Sequence, residues 1–239
     1  MAGSASPAVA AAVSSAQPPG GGGFAVAPYV DMTSGQEGML DQAARAGLRG
    51  FTAAFVTGAG CAPIWGDTLP VTNDPTVTGE ITRAESEGAP PIVSFGGEAG
   101  IELASSCENL SQLVAAYQSV INTLHVTHID FDIEDAQIAY TATNNLRFQA
   151  INSLETANPG LVVSLTIPVE PTGPDNNGQA LLQQAHADGA RISVVNVMAM
   201  DYNGTPLTAA ARPWAATRCR PRRTRCRSCG PCSPARPTP

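Results

Sequence analysis

Residues 127–136 read THIDFDIEDA, which sets Asp130, Asp132 and Glu134 at every second position with Ile129, Phe131 and Ile133 between them. Successive side chains of a β-strand point to opposite faces, so the three acids line one face at spacings of about 7 Å while the apolar residues face a core. Like charges in a row repel, and a solvated strand face would mix acids with Thr, Lys or Ser. Carboxylates this close cannot all ionise cheaply. The one with least solvent and the nearest charge keeps its proton near neutral pH, which makes a general acid. A metal site is the rival chemistry. Hard cations usually draw their carboxylates from separate elements or a loop, and catalytic zinc usually adds histidine. His125, His128 and His186 do not pair at a ligand spacing, and His128 is taken as a packing residue pointing away from the acid row. No metal and no cofactor is expected.

Elements must hold this row in place. From Phe24, six short apolar runs are predicted as strands: 24–30, 50–57, 91–96, 128–134, 161–167 and 192–200. Between them lie amphipathic stretches with helical spacing, including Met39, Ala43 and Leu48 on one face and Leu110, Leu113, Tyr117 and Val120 on another. Gly47, Gly88 and Gly189 stand where helices end before the next strand. Alternating strand and helix signals predict a parallel sheet. No G-x-G-x-x-G follows the first strand, which removes the main argument for a doubly wound nucleotide-binding sheet. A (β/α)8 TIM barrel fits better, and its active site forms at the C-terminal ends of the strands, where the acid row ends.

The residues also resemble a known family. HIDFDIE resembles the D-x-x-D-x-D-x-E signature of glycoside hydrolase family 18 chitinases, VSFGG (93–97) resembles that family's S-x-G-G strand, and NVMAMDYN (196–203) resembles its sixth-strand Met-Asp-Tyr motif. The three motifs follow in the family's order, and the resemblance covers 24 to about 205. It implies a retaining, substrate-assisted hydrolase of β-1,4-linked N-acetylglucosamine. Glu134 would be the general acid and then the base. Asp132 would hold the substrate's acetamido group, Asp130 would support Asp132 by charge and hydrogen bonding, and Tyr202 and Asp201 would close around the sugar with Met198 as an apolar wall. Tyr29, on the first strand, is a further substrate-binding candidate. The first Asp of the signature is Thr127 here, and a weaker enzyme is expected on that account.

Outside the motifs, Trp65 is a sugar-stacking candidate or a loop anchor packed on the rim, and Glu98 either lines the cleft or caps a helix. Cys61 and Cys107 either bridge or remain two buried thiols; both are expected after neighbouring strands, with α-carbons within about 7 Å. Two sequons, at Asn109 and Asn203, are of a kind common by chance.

Charge divides the chain. All 20 acids and 5 Arg fall in residues 1–211, whereas 212–239 holds 8 Arg and no acid, and there is no Lys. An acidic body disfavours nucleic acid and suits a neutral or cationic substrate. No apolar run reaches the ~18 residues of a membrane span. The expected organisation is a linker or leader remnant rich in Ala, Ser, Pro and Gly (1–23), a partial barrel (24–211), and an Arg, Pro and Cys-rich tail (212–239) of the composition given by GC-rich coding sequence read out of frame. On that basis the barrel is incomplete, with six βα units present and strands seven and eight missing, and the tail's Cys219, Cys226, Cys229 and Cys232 are not expected to form a zinc module. The expected protein is a secreted monomer that acts on chitin or N-acetylglucosamine oligosaccharides. An endo-β-N-acetylglucosaminidase of glycoprotein cores and a silent chitin-binding relative are the alternatives.

Overall fold

The computed structural model describes residues 26–33, 37–66, 69–200 and 202; Asp201, Asn203 and the tail lie outside them. The elements run β1 (Tyr29–Asp31), α1 (Glu37–Arg45), β2 (Phe51–Ala59), β3 (Ala62–Trp65), β4 (Leu69–Pro70), α2 (Pro75–Ser86), β5 (Pro91–Gly96), α3 (Leu103–Ser106) and α4 (Leu110–Leu124). They continue with β6 (His128–Asp132), a 3-10 turn (Asp135–Ala139), α5 (Thr141–Ala157), β7 (Val162–Pro168), α6 (Asn176–Ala187) and β8 (Val194–Met198). All six predicted strands are present, and β1, β2, β5, β6, β7 and β8 pair in that order, every pair parallel.

Three of the helices start where short polar side chains take up free backbone N–H groups. Asp74 accepts from Thr76 and Val77 before α2, Asn109 from Gln112 before α4, and Asp175 from Gly178 before α6. The Asn109 side chain of one sequon is therefore occupied as a helix cap. Leu113, Tyr117 and Val120 are buried on α4 as their spacing predicts. On α1 the buried face is formed by Leu40 and Ala44, whereas Met39 is exposed. The predicted stripe was one residue out of phase.

One hairpin was not expected. Gly60 and Cys61 turn β2 back into β3, with Ala59 opposite Ala62 and Gly60 at φ +63°, the positive φ that two-residue turns demand. The hairpin extends the sheet beside β1, so that β3 and β1 share one side of β2.

The parallel sheet curls. Tyr29 on β1 is three strands from β6 in sheet order, yet its hydroxyl lies 3.1 Å from Asp130 Oδ2 on β6 and 2.7 Å from Thr166 Oγ1 on β7. Only a sheet rolled about an interior brings those side chains together. The outward face is apolar: Phe131 packs on Phe95 and Tyr117 with ring centroids 5.3 Å from each, under α4. Among the described residues nothing pairs with the outer edges of β1 and β8, and Val194, Val195 and Val197 are exposed. No described helix is long and apolar enough to cross a membrane.

Cys61 and Cys107 form a disulfide with α-carbons 4.6 Å apart, joining the β2–β3 turn to the end of α3. It closes a sequence separation of 46 residues. Replacing both cysteines with Ala is expected to lower stability by about 3 to 4 kcal/mol, read from a denaturant midpoint. An unchanged midpoint would mean that the loop is held by its packing alone.

Candidate active site

The register of three strands builds the site. Ser94 on β5 and Ser164 on β7 flank Asp130 on β6, while Gly96 and Thr166 flank Asp132. The buried Asp130 carboxylate accepts hydrogen bonds from Ser94 Oγ at 2.7 Å, Ser164 Oγ at 2.6 Å, Thr166 Oγ1 at 3.0 Å and the Tyr29 hydroxyl at 3.1 Å. Hydroxyls from β1, β5 and β7 thus converge on one carboxylate. The partial burial of Tyr29 and then the charge of Asp130 raise its phenol far above the ordinary range, which keeps Tyr29 a donor.

Next along the strand, the two glycines of VSFGG let β5 pass close to Asp132. A Cβ on Gly96 would stand 2.1 Å from the Asp132 carbonyl oxygen, and Gly96 has φ +104°. A Cβ on Gly97 would strike the Phe55 ring at 2.8 Å, while the Gly97 N–H donates to the Asp132 carbonyl at 3.1 Å. Gly96→Ala is expected to cost about 3 kcal/mol or more, because positive φ and a backbone clash add. Thermal unfolding measures this, and a midpoint equal to wild type would contradict the close approach.

Strand β6 ends at Asp132, two residues earlier than expected, because the chain turns at Asp135. Glu134 nevertheless keeps an extended backbone (φ −118°, ψ 172°), and Ile133 N–H donates to the Thr166 carbonyl at 2.9 Å. The alternation therefore carries Glu134 to the acid face.

Electrostatics separates the acids. Burial, then the charges of Glu134 and Asp130, then a hydrogen bond with Glu134 raise Asp132 from 3.8 to about 8. Glu134 is raised too, by burial and by the charges of Asp135 and Glu98, with the hydrogen bond from Asp132 acting against them. The pair thus retains one proton near neutral pH, and the larger shift falls on Asp132, the deeper carboxyl. Asp132 Oδ1 has no hydrogen-bond partner among the described residues, and the hydrogen bonds of Asp130 go to hydroxyls, not to Asp132. Asp130 acts on Asp132 through charge.

Glu134 opens on a cleft of about 380 Å³ whose walls include Glu98, Glu170, Asp175, Met198 and Tyr202. Met198 ends β8 beside Pro168, and Glu98 lines the cleft while Glu102 caps α3. Tyr29 is not part of this cleft's lining; it reaches the site through its hydrogen bond to Asp130 and keeps 40% of its surface exposed. Asp201 falls outside the described residues.

The sugar-stacking reading of Trp65 and the expected placement of His128 away from the acid row both fail. Trp65 is fully buried, paired opposite Val56 in β3, because the unexpected hairpin folds it into the core. It is an anchor and offers no face to a sugar. His128 lies on the acid face, two residues before Asp130, as the two-residue period requires; its Nε2 is 3.2 Å from Ser164 Oγ, at the base of the hydroxyl ring. Ser164 and Thr166 were missed. Their signal was present in LVVSLTI, where they alternate on one face of an otherwise apolar strand. Among the described residues no cluster of three or more His, Cys, Asp or Glu is arranged to hold a metal ion.

No protein-family model matches the chain. It is 32% identical over 186 residues to the probable bifunctional chitinase/lysozyme of Escherichia coli K12, covering 74% of this chain and 20% of that one. It is 30% identical over 181 residues to endochitinase 11 of Metarhizium anisopliae, covering 74% of this chain and 34% of that one. The chain therefore spans only a minor part of the curated relatives it matches. Among solved structures, a catalytic-site mutant of active domain 2 of a thermostable chitinase from Pyrococcus furiosus, complexed with chito-oligosaccharides, superposes with a TM-score of 0.66 at 26% identity, covering 77% of this chain and 60% of that one. In sequence and in fold, the chain is similar to chitinases.

Proposed function

We propose that this chain is a family 18 glycoside hydrolase that cleaves β-1,4 linkages of chitin or its oligosaccharides by a retaining, substrate-assisted mechanism. The curled sheet is then six units of a (β/α)8 barrel. The observation that carries the proposal is the row of acids at the end of a parallel strand, with Asp130 held by hydroxyls from β1, β5 and β7 and Glu134 facing the cleft. The likeness to chitinases supports the choice of substrate, and the complex with chito-oligosaccharides belongs to one of those relatives.

The chemistry follows from one proton shared by two carboxyls. A glycosidic oxygen arriving at Glu134 draws that proton, and the bond to the anomeric carbon breaks as the substrate's own acetamido oxygen attacks from the other face. Asp132 is left anionic as the positive oxazolinium forms, which is the charge that intermediate needs beside it. Water then adds to the anomeric carbon and gives its proton to the Glu134 carboxylate. The acetamide is regenerated, with retained configuration. Tyr202, Met198 and Asp201 would hold the sugar, and Tyr29 would keep Asp130 oriented.

The disulfide supports an exported protein, since such bonds persist in oxidising compartments. Incubating the chain with a chitin oligosaccharide and, in parallel, with a glycoprotein carrying a chitobiose core tests the substrate. Shorter chitin oligomers from the first and none from the second is the expected outcome; release of the glycan alone would move the assignment to an endo-β-N-acetylglucosaminidase.

A further inference from the structure

Arg147 lies on α5 and is wholly buried. Its Nη2 donates to Glu102 Oε2 at 2.9 Å, and its Nη1 donates to Asn144 Oδ1. Glu102 ends the segment that follows β5; it also accepts from the Ala104 N–H at 2.8 Å and from the Tyr117 hydroxyl at 3.0 Å. Asn144 passes the connection onward. Its Nδ2 donates to the Ile138 carbonyl at 3.1 Å and to the Gln137 carbonyl at 3.4 Å. Both carbonyls belong to the 3-10 turn that starts directly after Glu134, and the Gln137 N–H donates to the Glu134 carbonyl at 3.1 Å.

A single guanidinium therefore grips the two segments that flank Glu134: the 97–102 segment, which carries Glu98, and the turn, which carries Asp135. Well-packed apolar residues usually hold a core as firmly as a buried pair does, so stability alone gives little reason for one.

We propose that Arg147 is a positioning residue for Glu134, fixing through Asn144 and Glu102 the turn and the segment that set the place of its carboxyl in the cleft. The proposal rests on Glu134 being the acid of the function proposed above. The groups facing Glu134 are Asp132 from β6, Asp135 from the turn, Glu98 from the segment after β5, Glu170 and Asp175 from the chain after β7, and Tyr202 from the chain after β8. Asp135 and Glu98 are the two charges that raise it, and they sit on the two segments Arg147 joins.

The test uses the full chain and three variants. Arg147→Lys keeps a charge on Glu102 but lacks the planar fork that reaches Asn144 as well. Asn144→Leu leaves the ion pair and cuts the link to the turn. Tyr117→Phe loosens Glu102 on the side away from the turn. Three quantities are read: kcat and KM on a chitin oligosaccharide, the titration of the Glu134 carboxyl by carbon-13 NMR, and Tm.

Arg147→Lys and Asn144→Leu should lower kcat about 10- to 100-fold with KM within about twofold. Their Glu134 titration should move to lower pH as the Asp135 and Glu98 charges recede. Tyr117→Phe should lower Tm and leave kcat and the titration in place. A folded Arg147→Lys or Asn144→Leu with wild-type kcat and an unmoved titration would overturn the proposal, as would a Tyr117→Phe variant that shifts both as much as Asn144→Leu does. If one of the two link variants does not fold, the other decides. Should the wild-type chain leave chitin oligosaccharides intact, the proposed function fails, and the NMR titration still decides the positioning: a shift supports it and no shift overturns it.

Discussion

Glu134→Gln is expected to reduce hydrolysis of a chitin oligosaccharide by about 10³-fold or more while leaving its dissociation constant near that of the wild type. Glutamine keeps the shape of the side chain at the cleft and removes the transferable proton, and general acid–base catalysis typically contributes about 10² to 10⁴-fold. Here both halves of the reaction pass through the same group, so the loss should lie at the upper part of that range. Calorimetric titration with the oligosaccharide gives the binding half of the prediction. Wild-type turnover by the variant would remove Glu134 from the mechanism; a lost affinity with unchanged kcat would make it a binding residue.

Asp132→Asn is expected to lower kcat by about 10² to 10³-fold and to stabilise the fold. Asparagine cannot supply the negative charge that the oxazolinium requires. The deficit should be smaller for a leaving group that departs without protonation, since Asp132 also holds the proton that Glu134 delivers. The stability effect has a defined direction with pH. Folding raises Asp132 from 3.8 to about 8, so the folded state binds this proton more tightly than the unfolded chain. Its contribution is fully present below pH of about 4 and is lost as the pH rises through about 8. Asparagine has no such loss, and the variant should gain about 1 to 2 kcal/mol at the alkaline end and nothing at the acid end. Thermal melts across that range measure the difference. A variant less stable than wild type at every pH would mean that Asp132 is well solvated by its surroundings. The same proton predicts a wild-type rate that declines as the pH rises past about 8.

The parts of this site visible in the sequence are those set by local period. Alternation puts Asp130, Asp132 and Glu134 on one face, and the same rule places His128 there and sets Ser164 and Thr166 together on β7. Glycine at 96 and 97 marks a close approach, though what approaches, the Asp132 backbone and the Phe55 ring, depends on how two strands cross. Trp65 shows where local reading stops. A tryptophan beyond a strand has the same sequence signature whether it faces a sugar or folds into a hairpin, and the turn at Gly60 decided for the hairpin. Which carboxyl holds the proton was also not legible, because depth of burial separates Asp132 from Glu134 and no spacing encodes depth. Arg147 and Glu102 stand 45 positions apart and look in sequence like any two surface charges. Only the packing of α5 against the segment after β5 makes them partners.

The most direct measurement of the central claim is proton NMR of the first product released from a chitin oligosaccharide, taken before the sugar mutarotates. Attack by the substrate's own acetamido oxygen followed by water inverts the anomeric carbon twice. The newly formed reducing end should therefore appear as the β-anomer. Initial release of the α-anomer would mean a single displacement by water activated on one carboxylate, and would contradict the shared-proton mechanism assigned to Asp132 and Glu134.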